Sequence, residues 1–192
     1  MPRGRLCPTI EDRAEIFPYK QYTMSRSVDE HRAEGPPVVR CAVITVSDTR
    51  TLETDTGGRT IVERLSAAGH EIAERQITRD DPAQIGRLLA ELNGRSDIDA
   101  VLLTGGTGIG SRDQTFETVS GLLSKPLPGY GELFRMLSYE QVGAAAMLSR
   151  AIGGLMGGKV LLTMPGSVAA VQLAMDKLIL PELSHLVREA RR

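Results

Sequence analysis

The 192-residue chain has no Trp, only three Phe and four Tyr, and an aromatic share of 4%. Single-stranded nucleic acid is usually held on aromatic stacking platforms, and this chain has few to offer. The formal net charge is −1, from 23 basic and 24 acidic side chains. A chain so near neutrality also lacks the basic face that displaces counterions from a nucleic-acid backbone. Cysteine is scarce. Cys7 and Cys41 form no Cys-x-x-Cys and no disulfide framework, as expected in a reducing compartment. His31, His70 and His185 are scattered without ligand spacing, which argues against a structural zinc site. No apolar run approaches the roughly 18 residues of a membrane span. The basic start, Met-Pro-Arg-Gly-Arg, is not followed by the apolar stretch of a secretory signal. The expectation is a cytoplasmic protein that binds neither nucleic acid nor membrane.

What is present divides the chain in two. Residues 1–37 show little periodicity and end in Gly35-Pro36-Pro37, a stiff break. They read as an N-terminal extension or linker, with a short helix around residues 27–34. Residues 38–192 then alternate strand and helix patterns. Apolar, β-branched segments at 38–46, 100–103 and 159–163 read as buried strands, and 71–78 alternates like a strand. Helical spacing covers 60–68, stopped by Gly69, and 82–92, where Asp81 precedes Pro82 as an N-cap. Further helices follow Asp113, cover about 131–138, and begin after Ser167, the last kinked or divided at Pro181. Such alternation predicts an α/β fold: a three-layer αβα sandwich around a mostly parallel sheet.

Residues 101–117 carry the most information. Val101-Leu-Leu-Thr104 stops on Gly105-Gly-Thr-Gly-Ile-Gly110, and Ser111-Arg112-Asp113 precedes a helix. Glycines permit φ > 0 and bring backbone N–H groups close to a ligand. Between a strand and a helix N-terminus, those groups favour an anion. Ser111-Arg112 stands where a Walker A loop needs Lys-Ser/Thr, and Ser111 where the dinucleotide fingerprint needs its third glycine. Neither nucleotide-binding pattern fits, and a glycine-rich turn without a ligand stays open. The expected topology puts Ser47-Asp48, Asp80-Asp81, this loop and Pro165-Gly166-Ser167 beyond the carboxyl ends of strands, where open α/β sheets bind ligands.

Several ordered blocks now point one way: Thr45-Val-Ser-Asp48, Thr104-Gly-Gly-Thr-Gly108 with Arg112-Asp113, Thr115 and Glu117, Gly129-Tyr-Gly-Glu-Leu-Phe-Arg-Met-Leu-Ser138, and Leu148-Ser-Arg-Ala151 before Met164-Pro-Gly-Ser167. From about Val38 to His185 the chain resembles the molybdenum-cofactor biosynthesis family that contains the MoaB and MogA proteins, and the third block resembles its MoaB branch. The resemblance implies transfer of AMP from ATP to the terminal phosphate of molybdopterin, giving adenylyl-molybdopterin and pyrophosphate. The alternative is a non-catalytic molybdopterin- or nucleotide-binding protein of the same pathway. It also implies Mg²⁺ with ATP as co-substrate, no tightly bound cofactor, a homo-oligomer (trimer or hexamer), and a pathway partner that inserts molybdate.

The residues implied for this chemistry are Asp113 and Asp80 as catalytic carboxylates that also hold Mg²⁺. Ser47, Asp48, Thr104, Gly105, Gly106, Thr107, Gly108, Arg112, Ser149, Arg150, Pro165, Gly166 and Ser167 would bind substrate. Several have a plainer reading. Asp113 can be the N-cap of the next helix, and Asp81 the better cap of its doublet. Asp48 can belong to a surface turn, Arg150 can be an exposed arginine at a helix end, and Ser167 can cap the last helix. Glu117 reads as a charge that compensates the helix dipole. Phe116 stands where many family members carry proline.

Overall fold

The computed structural model describes residues 34–192. The short helix expected at 27–34 lies, apart from Glu34, outside them. Six strands form one sheet: β1 (Arg40–Val46), β2 (Glu71–Thr78), β3 (Ala100–Thr104), β4 (Lys125–Pro126), β5 (Gly153–Met156) and β6 (Lys159–Met164). Their order is β2-β1-β3-β6-β5-β4. The first four in that order are parallel neighbours, whereas β5 runs antiparallel to β6 and β4 to β5. The antiparallel corner was not expected from sequence, because a two-residue strand and a Gly-Gly start give no periodic signal.

Helices cover both faces: α1 (Thr56–Ala67), α2 (Pro82–Gly94), α3 (Thr115–Leu122), α4 (Pro128–Val142), a 3₁₀ segment (Gly143–Leu148), α5 (Val168–Ala174), a π segment (Met175–Ile179) and α6 (Leu180–Ala190). Strand alternation sorts the core into two layers. Cys41 and Val43 face α1, α4 and the last helices, through Ile61, Leu65, Phe134, Val171, Ile179 and Leu183. Ala42, Ile44 and Val46 face α2 and α3, through Ile85, Leu89, Leu92 and Val119. The three-layer αβα expectation therefore holds.

Boundaries moved where glycine or proline hid the pattern. α1 begins at Thr56, since Asp55 accepts the Gly58 N–H and so caps a first turn containing Gly57 and Gly58. At the far end, the helix before Pro181 widens into the π segment, so the ring falls in the first turn of α6, where no N–H is required. Pro181 thus divides the helix without breaking it. Register sets the site: Thr45 pairs with Thr104, Thr104 with Met164, and Val46 with Thr78. Four strands end side by side, and their following loops share one edge. No helix of the described residues is long and apolar enough to cross a membrane.

Candidate functional site: a glycine loop closed on a carboxylate

The loop after β3 owes its shape to its neighbours. Gly105 (φ +99°) donates its N–H to the Met164 carbonyl at 3.0 Å, and a Cβ there would strike the Val46 carbonyl. Gly106 (φ +63°) faces Asp80, whose Oδ2 would lie 2.6 Å from an added Cβ. Thr104 Oγ1 donates to the Pro165 carbonyl at 3.2 Å, tying this loop to the one after β6. The chain then curls around Asp113. Asp113 Oδ2 accepts the Gly110 N–H at 2.8 Å, the Asp113 N–H donates back to the Gly110 carbonyl at 3.0 Å, and a Cβ on Gly108 would lie 2.7 Å from Oδ2. Two glycines are absent side chains that this carboxylate requires.

The capping reading of Asp113 is thereby corrected. The N-cap of α3 is Gln114, which has no side-chain cap bond; Asp80 Oδ1 takes the Gln114 N–H instead, at 3.0 Å. The doublet separates cleanly, because Asp81 Oδ1 accepts Gln84 N–H at 2.8 Å and caps α2. Asp80 is half-buried, and its carboxyl is pushed up, first by burial and further by the nearby Asp113 and Asp48 carboxylates, against the Gln114 N–H bond and Arg112. A carboxylate crowded by two others is a place where a cation or a proton is welcome.

A cavity of about 440 Å³ opens above the loop. Gly105, Gly106, Thr107, Gly108, Asp113, Ser149, Pro165, Gly166 and Ser167 line it, whereas Asp80, Thr104, Arg112 and Arg150 do not. Ser167 also caps α5, accepting Ala170 N–H at 3.3 Å, and both readings of that turn hold together. The opposite wall was missed: Phe134, Ser138 and Val142 from α4, with Leu148, Ala170 and Leu173. The i, i+4, i+8 spacing of the first three was the available signal. One polar side and one apolar side suit a flat ring system that carries an anionic tail.

Ser47 and Asp48 lie next door. They line a second cavity of about 440 Å³ with Arg50, Arg75 and Arg79. Ser47 Oγ accepts the Thr49 and Arg50 N–H groups and so shapes the turn that carries Asp48. Asp48 Oδ2 accepts Arg112 Nη2 at 2.5 Å, and Arg112 is otherwise exposed. Behind this turn, Asp55, only 2% exposed, takes bonds from Thr45 Oγ1 at 2.9 Å and Arg75 Nη2 at 3.2 Å. Sequence reading passed over both partners, because the Gly57-Gly58 pair masked a cap.

Arg150 is not the exposed arginine of the plainer reading. Its fork is divided between the Glu117 carboxylate and the Asp113 carbonyl, the latter at 2.9 Å, with the guanidinium carbon 5.1 Å from the Phe116 ring centroid. Glu117 therefore does more than compensate a helix dipole. No group of three or more His, Cys, Asp or Glu among the described residues is arranged to hold a metal. Asp80 and Asp113, near enough for one charge to be felt by the other, are the carboxylates that could hold a cation such as Mg²⁺, which takes few protein oxygens and completes its shell with substrate phosphates and water.

A mostly parallel αβα sheet with a glycine loop and an apolar wall at its carboxyl edge defines a class: an α/β domain with a ligand-sized cavity at the ends of its parallel strands. Residues 42–185 match the family described as a probable molybdopterin binding domain. The chain is 53% identical to molybdenum cofactor biosynthesis protein B of Halalkalibacterium halodurans over 164 residues, which is 85% of this chain and 96% of that protein. It is 52% identical to the protein of the same name from Bacillus subtilis over 167 residues, 86% and 98% of the two chains. Among solved structures, a crystal structure of molybdenum cofactor biosynthesis protein B gives a TM-score of 0.79 at 52% identity, covering 82% of this chain and 99% of that one. The tungsten cofactor synthesizing protein MoaB from Pyrococcus furiosus gives 0.72 at 38% identity, covering the same shares. This chain belongs to the MoaB/MogA family of molybdenum cofactor biosynthesis proteins, in its MoaB branch.

Proposed function

We propose that this protein transfers AMP from ATP to the terminal phosphate of molybdopterin, producing adenylyl-molybdopterin and pyrophosphate. One observation carries the reading above the others: a carboxylate, Asp113, lies at the polar floor of a ring-sized cavity, inside a loop whose backbone can face phosphate. The names of the relatives support the pathway, and the intact Arg112-Asp113 pair supports turnover over binding alone.

The chemistry is displacement at phosphorus. An oxygen of the pterin phosphate forms a bond to the α-phosphorus of ATP while the bond from that phosphorus to the β-bridging oxygen breaks, and pyrophosphate carries the electron pair away. The nucleophile is already ionised near neutral pH, so no strong general base is needed, and the barrier is the approach of two anions. Positioning and charge stabilisation are what the protein must supply. The loop N–H groups would receive the phosphates, and Arg112, exposed and paired with Asp48 beside the loop, would turn to them. The apolar wall of Phe134, Val142, Leu148 and Leu173 would seat a flat ring. Asp113 and Asp80 would hold Mg²⁺, which supplies neutralisation of phosphate charge when bound.

The protein is further proposed to act as a homo-oligomer. Leu133, Met136, Tyr139, Val142 and Met147, each 48–73% exposed, follow one another along α4 and the 3₁₀ segment, and exposed apolar side chains gathered on one segment mark a contact with another protein surface.

The test is incubation with ATP, Mg²⁺ and molybdopterin, with mass detection of the products. Adenylylated pterin and pyrophosphate are expected. Saturable pterin binding without product would replace the enzyme by a binding protein.

A further inference from the structure

Asp113 can serve a phosphate or a cation only if its carboxylate points in one direction. Within its own loop the carboxylate has one bond, from the Gly110 N–H at 2.8 Å, and the Gln114 that follows provides no side-chain cap for α3. The backbone that carries it is held from elsewhere. The carbonyl of Asp113 and the N–H of Gln114 belong to one peptide group, and that group is gripped at both ends. Arg150 Nη2 donates to the carbonyl at 2.9 Å. Asp80 Oδ1 accepts from the N–H at 3.0 Å. The two grips come from distant parts of the chain, the turn after β2 and the turn before β5, so the plane of this peptide is decided by tertiary contacts.

Arg150 is itself held. Glu117, in the first turn of α3, takes the other arm of its fork, and the Phe116 ring supports the guanidinium at 5.1 Å. Only 23% of the Arg150 side chain is exposed. Its Nε is buried without a partner, so the two Nη groups alone set its orientation. Two of the fork's five N–H donors are thus committed to Glu117 and the Asp113 carbonyl, and its orientation is set before any substrate arrives. The Glu117 carboxyl is correspondingly held below its usual range by the guanidinium beside it.

We propose that Glu117 is a positioning residue. With Phe116 it pins Arg150, which together with Asp80 fixes the Asp113–Gln114 peptide and so aims the Asp113 carboxylate into the glycine loop. Arg150 is then part of the frame of the site and not a direct ligand of the pterin or the nucleotide. This rests on the transfer reading above, because only a reaction makes the aim of Asp113 measurable as a rate. A misplacement of about 1 Å at a reacting group costs on the order of a hundredfold, which sets the scale of the effect.

The test compares Glu117→Ala, Glu117→Gln and Phe116→Leu with the unaltered protein by two readouts. Steady-state transfer with ATP and molybdopterin should show kcat lowered about 10- to 100-fold in Glu117→Ala, with both KM values within about threefold. Glu117→Gln keeps an acceptor oxygen and should recover part of that loss, and Phe116→Leu should show a smaller loss in the same direction. Melting temperatures should move by no more than a few degrees, since a half-exposed ion pair contributes little stability. Hydrogen exchange read by mass spectrometry should be faster in the segment 105–116 of Glu117→Ala, restored in part by Glu117→Gln. A raised KM with unchanged kcat would assign Arg150 to the substrate and overturn the proposal. Unchanged exchange in that segment would overturn it as well. If the unaltered protein makes no adenylylated pterin, the transfer reading fails by itself, and the exchange experiment still decides whether the clamp exists.

Discussion

The carboxylate of Asp113 accepts the backbone N–H of Gly110 at 2.8 Å and leaves the helix after it uncapped. The residue closes its own loop, and the helix takes its N-terminal partner from Asp80. Asparagine can accept the Gly110 N–H equally well but brings no charge. Asp113→Asn should therefore keep a near-normal melting temperature and bind molybdopterin, while adenylyl transfer falls at least about a hundredfold, the scale of removing one transition-state stabilising group. Full transfer in this variant would make Asp113 a structural loop closer and leave Asp80 as the leading carboxylate.

Gly106→Ala tests the loop itself. At φ +63° an added Cβ is strained, and it would lie 2.6 Å from Asp80 Oδ2. The strain should lower stability by about 1–3 kcal/mol while the domain still folds, and molybdopterin affinity measured by calorimetry should fall tenfold or more. Unchanged affinity would show that the loop does not contact the pterin.

At the opposite end of the sheet, Asp99 joins Arg40 and Arg191 at 2.8 and 2.6 Å and is only 5% exposed in its side chain. Burial pushes its carboxyl up, but hydrogen bonds from Arg40 and Arg191 outweigh this and hold it down at about 2. A lowered folded value means the stabilisation is fully present above the ordinary 3.8 and is lost as pH falls toward about 2. Asp99→Asn should cost on the order of 1–2 kcal/mol at pH 7, allowing for the partly exposed arginines. Denaturant titrations at several pH values should show that deficit shrinking between pH 4 and 2. A deficit independent of pH would assign the effect to packing.

Removal of residues 1–37 tests whether the extension is dispensable. The chain before Val38 still touches the domain, since Gly35 packs against Ser184 and Glu34 pairs with Arg188. That pair is more than half exposed on the Glu34 side, so it contributes little. A protein starting at Val38 should melt within a few degrees of the full chain in calorimetry. Loss of cooperative unfolding would place the extension in the core or in an oligomer contact.

Tyr139→Asp puts a charge on the apolar strip of α4, where the ring is 63% exposed. If copies meet there, light scattering after size exclusion should show a smaller particle than the unaltered protein, because a buried unpaired charge is costly. An unchanged mass would move the contact elsewhere.

Much of the fold was legible because it follows from local pattern. The apolar runs of β1, β3 and β6 can only be buried on both faces, and Asp81-Pro82 announces a helix start by capping chemistry. Ser167 did the same for α5. Glycine and proline erased the signal elsewhere, at the Asp55 cap, at β5 and in the π turn before Pro181. The sequence by itself determined which segments end at the carboxyl edge and that a glycine loop with a carboxylate follows β3. Only the tertiary structure decided what those residues face. Asp80 takes up the helix end that Asp113 was free to cap, and Arg150 turns its fork to Glu117 and a backbone carbonyl. Phe134, Ser138 and Val142 become a cavity wall. The physical reason is range: caps and strand alternation are set by neighbours a few residues apart, whereas a side chain's hydrogen-bond partner is chosen among groups 33–37 residues away in sequence, which only the packed sheet brings within 3 Å.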